Sequence, residues 1–199
     1  MARALYNKHL WQEYISTDDD ILDFGCSGGF LLRVLEAKRK IGVEINPYAR
    51  EYAGKHGIVV YETLDEVPGK FDKVISSHAL EHVPNPRAAL LELKKKLRGE
   101  NSLMLLLLPL DDWRAKANRV YRENDVDMHL YTWTPQILGN LLSSCDLQVK
   151  EIFIITHAWS NKMQFLWRLS PSIFHLVALG WSLISKRRQL FGIASLKRQ

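Results

Sequence analysis

The run Ile21-Leu22-Asp23-Phe24-Gly25-Cys26-Ser27-Gly28-Gly29 leaves the chain few folds to choose from. A short, mostly apolar strand carrying one acid passes into a glycine-rich turn, and the apolar residues Phe30, Leu31 and Leu32 then open a helix. A strand that enters a helix through such a turn begins an open α/β sheet, in which ligands sit at the carboxyl ends of the strands. Glycine there lets a ligand approach the backbone closely. Ile41-Gly42-Val43-Glu44-Ile45 reads as a second buried strand with a carboxylate at its carboxyl end. An acid about 20 residues after the first is placed to accept ribose hydroxyls, and Asp23 and Glu44 have that separation. The spacing predicts an adenosine-containing ligand.

A dinucleotide turn spaces its glycines G-x-G-x-x-G to seat a pyrophosphate, a spacing absent here, which disfavours a nicotinamide-dependent oxidoreductase. The order acid-x-Gly-x-x-x-Gly resembles motif I of the class I S-adenosylmethionine (SAM) methyltransferases, whose ligand is a nucleoside bearing an amino acid. Three further stretches carry the resemblance: Gly42 to Asn46; Phe71-Asp72 through Ser76-Ser77-His78-Ala79-Leu80-Glu81-His82-Val83; and His129 followed by Thr134-Pro135, Leu138 and Leu141-Leu142. Together they span about residues 15 to 158 and are similar to the ubiquinone-pathway and glycan-cluster enzymes of that family.

The resemblance implies that Asp23, Gly25, Cys26 and Gly29 meet the methionine end of SAM. Glu44 would hold the ribose hydroxyls and Ile45 the adenine face. Ser77 and His78 would lie at the cofactor edge of strand four. The family commonly places an acid after strand three, where this chain has Thr63 beside Leu64. Ser27 replaces the central glycine and is expected to fit with negative φ. S-adenosylhomocysteine would be the product.

Methyl transfer from a sulfonium needs a general base only for a poorly acidic hydroxyl or a protonated amine. His129 and His78 are the candidates, with Glu81 and His82 less favoured, because an imidazole titrates near working pH. Strand four is followed by Ser-Ser-His-Ala rather than the Asn/Asp-Pro-Pro-aromatic signature of nucleic-acid amino methylation. Neither cysteine follows a proline, and no acid cluster suggests a catechol-type metal. The reading is therefore no metal, no specific nucleic acid, and a small-molecule, lipid-linked or glycan acceptor, most simply an oxygen. A catalytically silent SAM-fold adaptor is the alternative from another class.

The rest of the chain alternates strands and helices: a helix over 3–15, strands at 21–24, 41–45, 58–61, 71–76, 103–108 and 147–156, and helices from 29 to 38, after Pro47, after Asn85-Pro86 and after Thr134-Pro135. The expected fold is α/β: a Rossmann-like, doubly wound, seven-stranded sheet, mostly parallel, with an antiparallel last strand at 189–195. At 199 residues this is one domain, 1–199. Residues 161–185 are apolar and aromatic, split at Ser170-Pro171, and too short to span a bilayer. They read as a helical insertion serving as lid, dimer surface or membrane-interface element, with peripheral membrane contact through 161–188 one outcome. The Lys94-Lys95-Lys96-Arg98 cluster reads as a solvated helix end. Two cysteines without metal spacing, and no N-terminal apolar segment, lead to an expectation of a cytoplasmic monomer or homodimer.

Overall fold

The computed structural model describes residues 2–110, 120–155, 163–185 and 188–197. The expected positions 156, 161–162, Lys186, Arg187 and Arg198 lie outside them.

The elements run α1 (Ala2–Gln12), β1 (Asp20–Phe24), α2 (Phe30–Val34), β2 (Arg39–Val43), α3 (Pro47–Lys55), β3 (Val59–Tyr61), β4 (Lys73–Ser77), a 3-10 turn (Leu80–His82), α4 (Pro86–Lys95), β5 (Leu103–Pro109), α5 (Pro135–Ser144), β6 (Leu147–Ile155), α6 (Gln164–Leu169), α7 (Pro171–Ser185) and β7 (Gln189–Leu196). One seven-stranded sheet has the order β3-β2-β1-β4-β5-β7-β6. β7 is antiparallel to both β5 and β6, and the other pairings are parallel. The expected fold and its reversed last strand are present.

β5 shows why the sheet is covered on both sides. Met104, Leu106 and Leu108 join a core with Leu90, Leu93, Leu138 and Leu142 of α4 and α5. Leu105 and Leu107 join the opposite core with Trp11, Leu32 and Ala53 of α1 to α3. Successive side chains of a strand point to opposite faces, so an unbroken apolar run requires two apolar layers.

Caps set the helix starts. Asn46 accepts from the amides of Tyr48 and Ala49, Asn85 from Ala88, and Thr134 from Ile137, with a proline following each cap. α2 is the exception, ending at Val34 rather than near 38. The Gln12 side chain donates to the Glu36 carbonyl at 3.0 Å and accepts from the Glu36 amide at 2.9 Å, holding that segment out of the helix. A distant side chain overrides local periodicity there.

The basic cluster after α4 also differs from expectation. Lys96 donates to the Val67 carbonyl at 2.7 Å, and Arg98 bonds Asp72 and Asp20, tying the amino ends of the strands together. Burial works against the Asp20 charge, but the bonds and charges of Arg98 and Arg39 outweigh it and lower its pKa.

Gly42 lies beneath the glycine turn, where an added Cβ would stand 2.3 Å from Cys26 Sγ. Gly42→Ala should therefore overpack the β2–turn junction and destabilise by about 1–3 kcal/mol. Cys26→Ala should restore much of that loss in the double variant. Urea denaturation of the four proteins checks the coupling, and strictly additive losses would contradict it.

Candidate active site

The chain fills β1, β2 and β3 in one direction and then crosses back to β4, so strand order reverses between β1 and β4. The loops leaving these two strands bound the crevice in which such sheets bind ligands. They touch: a Cβ on Gly25 would come within 2.4 Å of Ala79 Cβ, so only glycine allows the turn and the β4 loop to close together.

Left-handed backbone recurs at alternate positions of the turn, with φ +75° at Gly25, +49° at Ser27 and +68° at Gly29. The expected negative φ at Ser27 is thus corrected. A serine in that region costs about 1–2 kcal/mol, and the turn offsets it by donating the Ser27 amide to Glu44 Oε2 at 2.8 Å. Glu44 Oε1 accepts from the Asn46 amide at 2.9 Å. The Glu44 carboxylate therefore points into the turn with its geometry fixed, and each oxygen retains a lone pair for a hydroxyl.

Asp23 lies just below and is 2% exposed, with Oδ1 buried and lacking a hydrogen-bond partner. Burial, and then the Glu44 charge, push its pKa up to about 7. An unpartnered buried carboxylate is costly unless a cation or donor reaches it. Cys26 is buried too; burial, then Asp23 and Glu44, push its thiol up. Its sulfur packs toward Gly42, so Cys26 gives the turn packing rather than a nucleophile.

On the other side of Glu44, Ile45 is 80% exposed, a bare apolar surface beside the carboxylate. Thr63 is exposed and Leu64 packs partly into the core. Arg50, which sequence reasoning missed, donates to the carbonyls of Glu44 and Ile45 at 2.8 Å each and to Glu62 at 2.8 Å. It shapes this wall, and nothing in the sequence separates it from the other basic residues.

The β4 loop carries a second cluster. Ser77 ends the strand, and His78 follows with φ +54°, its amide donating to the Leu107 carbonyl at 2.8 Å. His78 Nδ1 stands 3.4 Å from Glu81 Oε1, and His78 Nε2 is buried without a partner. Glu81 is fully buried, and neither carboxylate oxygen has a hydrogen-bond partner. Ligating atoms of Glu81, His82 and His129 lie within 4.8 Å of one another, and the His82 and His129 rings meet edge to face at 5.1 Å. The Leu130 amide donates to the Glu81 carbonyl at 2.9 Å and the Tyr131 hydroxyl to Pro84 at 2.6 Å, fastening the His129 loop over this segment. The structure thus gathers His78, Glu81, His82 and His129, with the less favoured Glu81 at the centre. The Glu81–His82–His129 trio also has the donor types that hold divalent cations, which the sequence reading did not foresee.

These features define a Rossmann-like nucleoside-binding fold with two acids on one side of the mouth and an imidazole beside a buried carboxylate on the other. Residues 3–152 match the family model described as a methyltransferase domain, and the chain belongs to that family. Among curated relatives, a mitochondrial ubiquinone biosynthesis O-methyltransferase from Schizosaccharomyces pombe is 31% identical over 102 residues, 43% of this chain and 36% of that protein. A ubiquinone biosynthesis O-methyltransferase from Idiomarina loihiensis is 31% identical over 91 residues, 39% of this chain and 37% of that protein. The matches thus span little more than a third of either relative's length. A SAM-dependent methyltransferase from Thermotoga maritima superposes with a TM-score of 0.65 over 98% of this chain and 89% of its own, at 17% identity.

SAM is the cofactor of this family, and the residues present fit it. The orphaned Asp23 Oδ1 suits an ammonium, the fixed Glu44 oxygens suit vicinal hydroxyls, and the bare Ile45 suits a purine face.

Asp23 also gives a pH signature. Its carboxyl titrates from 3.8 in a model peptide but at about 7 when buried here, so between those values the folded protein holds a proton that the unfolded chain has released. The stability this contributes is complete below pH 3.8 and is lost as pH rises through 7. Asp23→Asn should therefore gain melting temperature on wild type progressively from pH 5 to pH 8. Thermal melts across that range check it, and parallel curves would contradict it.

Proposed function

We propose that this chain transfers the methyl group of SAM to an oxygen of a small-molecule, lipid-linked or glycan acceptor, with His78 as general base and Glu81 as its positioning partner. The observation carrying this reading is the His78–Glu81 pair at the strand-order reversal, a fully buried carboxylate 3.4 Å from one nitrogen of a partly exposed imidazole whose other nitrogen is unpartnered. A methyltransferase acting on an already ionised acceptor has no use for such a pair, whereas a hydroxyl must lose its proton as the new bond forms. The O-methylating activity in the names of the two curated relatives points the same way.

SAM, when bound, supplies an electrophilic methyl on a sulfonium. Asp23 would hold the ammonium and Glu44 the ribose hydroxyls, fixing the donor at both ends. Glu81 orients the His78 ring from the Nδ1 side, and proton transfer to Nε2 requires acceptor binding to open the loop around an atom that the free protein buries. The His129 loop, fastened at Leu130 and Tyr131, closes the acceptor side and excludes water, so the rate comes mainly from orientation in a dry site. His129 faces the acceptor beside His82.

Labelled methyl incorporation into lipid and glycan extracts tests this. Wild type should label one such fraction, and Glu81→Gln should lower turnover by about 10²-fold while leaving S-adenosylhomocysteine affinity within the error of calorimetry. Wild-type turnover in Glu81→Gln would remove the base. Binding of the cofactor with no labelled fraction would favour the silent adaptor. Glu44→Ala should weaken S-adenosylhomocysteine by about 1–3 kcal/mol, because it strands hydroxyl donors in the site, and unchanged affinity would refute the ribose contact.

A further inference from the structure

We propose that the α6–α7 hairpin is a membrane-docking surface that takes the anionic headgroups and outer acyl region of a lipid bilayer. Its inner side is anchored: Phe174 and Ala178 of α7 are buried with Tyr6 of α1, and the Tyr6 ring lies 4.2 Å from Phe174 and 4.8 Å from Trp167 of α6 between centroids. Its outer side is bare. Leu176, midway between the two buried positions and so on the opposite face of the helix, is 71% exposed. Ile173 is 50% exposed, and on α6 Phe165 is 59% and Leu169 74% exposed. Phe165 and Leu169, four apart, share a face of α6, and Ile173 and Leu176, three apart, share a face of α7; exposed apolar faces of this kind mark an interaction site.

Charge names the occupant. Residues 161–188 contain Lys162, Arg168, Lys186, Arg187 and Arg188 and not one Asp or Glu. The chain has 27 Lys and Arg against 22 Asp and Glu, so everything outside this segment balances at 22 against 22 and the entire net charge of +5 belongs to it. An apolar helix face in an acid-free, cationic segment is the composition of an interfacial element on anionic lipid. A second copy of the chain would bring the same positive segment to the same place. No helix among the described residues is long and apolar enough to cross a membrane, so the element lies on the surface.

Topology gives the docking a consequence. β5 and β6 both pair antiparallel with β7, and Pro109 and Ile155 both stand opposite Gln189. The hairpin therefore leaves the sheet at the edge where β1 and β4 release the glycine turn and His78. A hairpin docked on a bilayer would hold this edge of the sheet, which carries the crevice, close to the lipid surface. The docking stands without the proposed chemistry, and the lipid acceptor rests on it.

Flotation of the full chain with vesicles of phosphatidylcholine alone, and of phosphatidylcholine mixed with phosphatidylglycerol, tests this. Wild type should float with the anionic vesicles and not the neutral ones, and added salt should release it. The double variant Leu169→Glu/Leu176→Glu alters only exposed positions and should lose at least about tenfold in bound fraction. Its melting temperature and S-adenosylhomocysteine affinity should match wild type, which separates a docking failure from a failure of the cofactor site. No flotation, equal flotation of the variant, or a wild-type dimer in light scattering that the variant dissolves would each overturn the proposal.

Discussion

Two carboxylates at the point where the sheet reverses its strand order govern this molecule. Asp23 is buried without a partner for Oδ1, and Glu44 is pinned by two backbone amides directly above it. Burial, and then the neighbouring Glu44 charge, make an ionised Asp23 costly and push its pKa up to about 7. Such an arrangement loses little when a cation arrives and releases the proton. The left-handed backbone of the turn, the absence of a side chain at Gly25 and the sulfur seated over Gly42 all serve to hold those carboxylates in place.

Across the mouth, polarity is handled differently. Glu81 and His78 face each other at 3.4 Å, and the segment that carries them is clamped by the Leu130 amide and the Tyr131 hydroxyl. One wall of the crevice therefore carries the carboxylates Asp23 and Glu44, and the other carries the His78 imidazole beside the Glu81 carboxylate. The hairpin between β6 and β7 adds a third component at the same edge, built from an anchored aromatic inner side and a bare outer one.

Much of this was legible in the sequence, for local reasons. Apolar runs gave the strands, and Pro47, Asn85-Pro86 and Thr134-Pro135 gave the helix starts, because caps and first-turn prolines act locally. Asp23, Glu44 and His78 stand out as ionisable residues in or just after apolar strands, and His129 stands out before a capped helix. What escaped was long-range. Gln12 shortens α2 from a distance of 24 residues, Lys96 and Arg98 leave the solvated helix end for distant carbonyls and acids, and Arg50 braces the end of β2 through the carbonyls of Glu44 and Ile45. The burial of Glu81 escaped because the loop around His129 meets it from nearly 50 positions further along. Ser27 was misjudged because the amide bond to Glu44 that offsets its left-handed backbone exists only once both strands are in place.

The central claim is that Asp23 is a buried, partly protonated carboxyl that a cationic ligand ionises. Calorimetric titration with S-adenosylhomocysteine at pH 7, repeated in buffers of different ionisation enthalpy, counts the protons exchanged on binding. The account predicts that wild type releases a substantial fraction of one proton and that Asp23→Asn releases none of it. Binding by wild type with no net proton exchange would show Asp23 already ionised and paired, and would contradict the account.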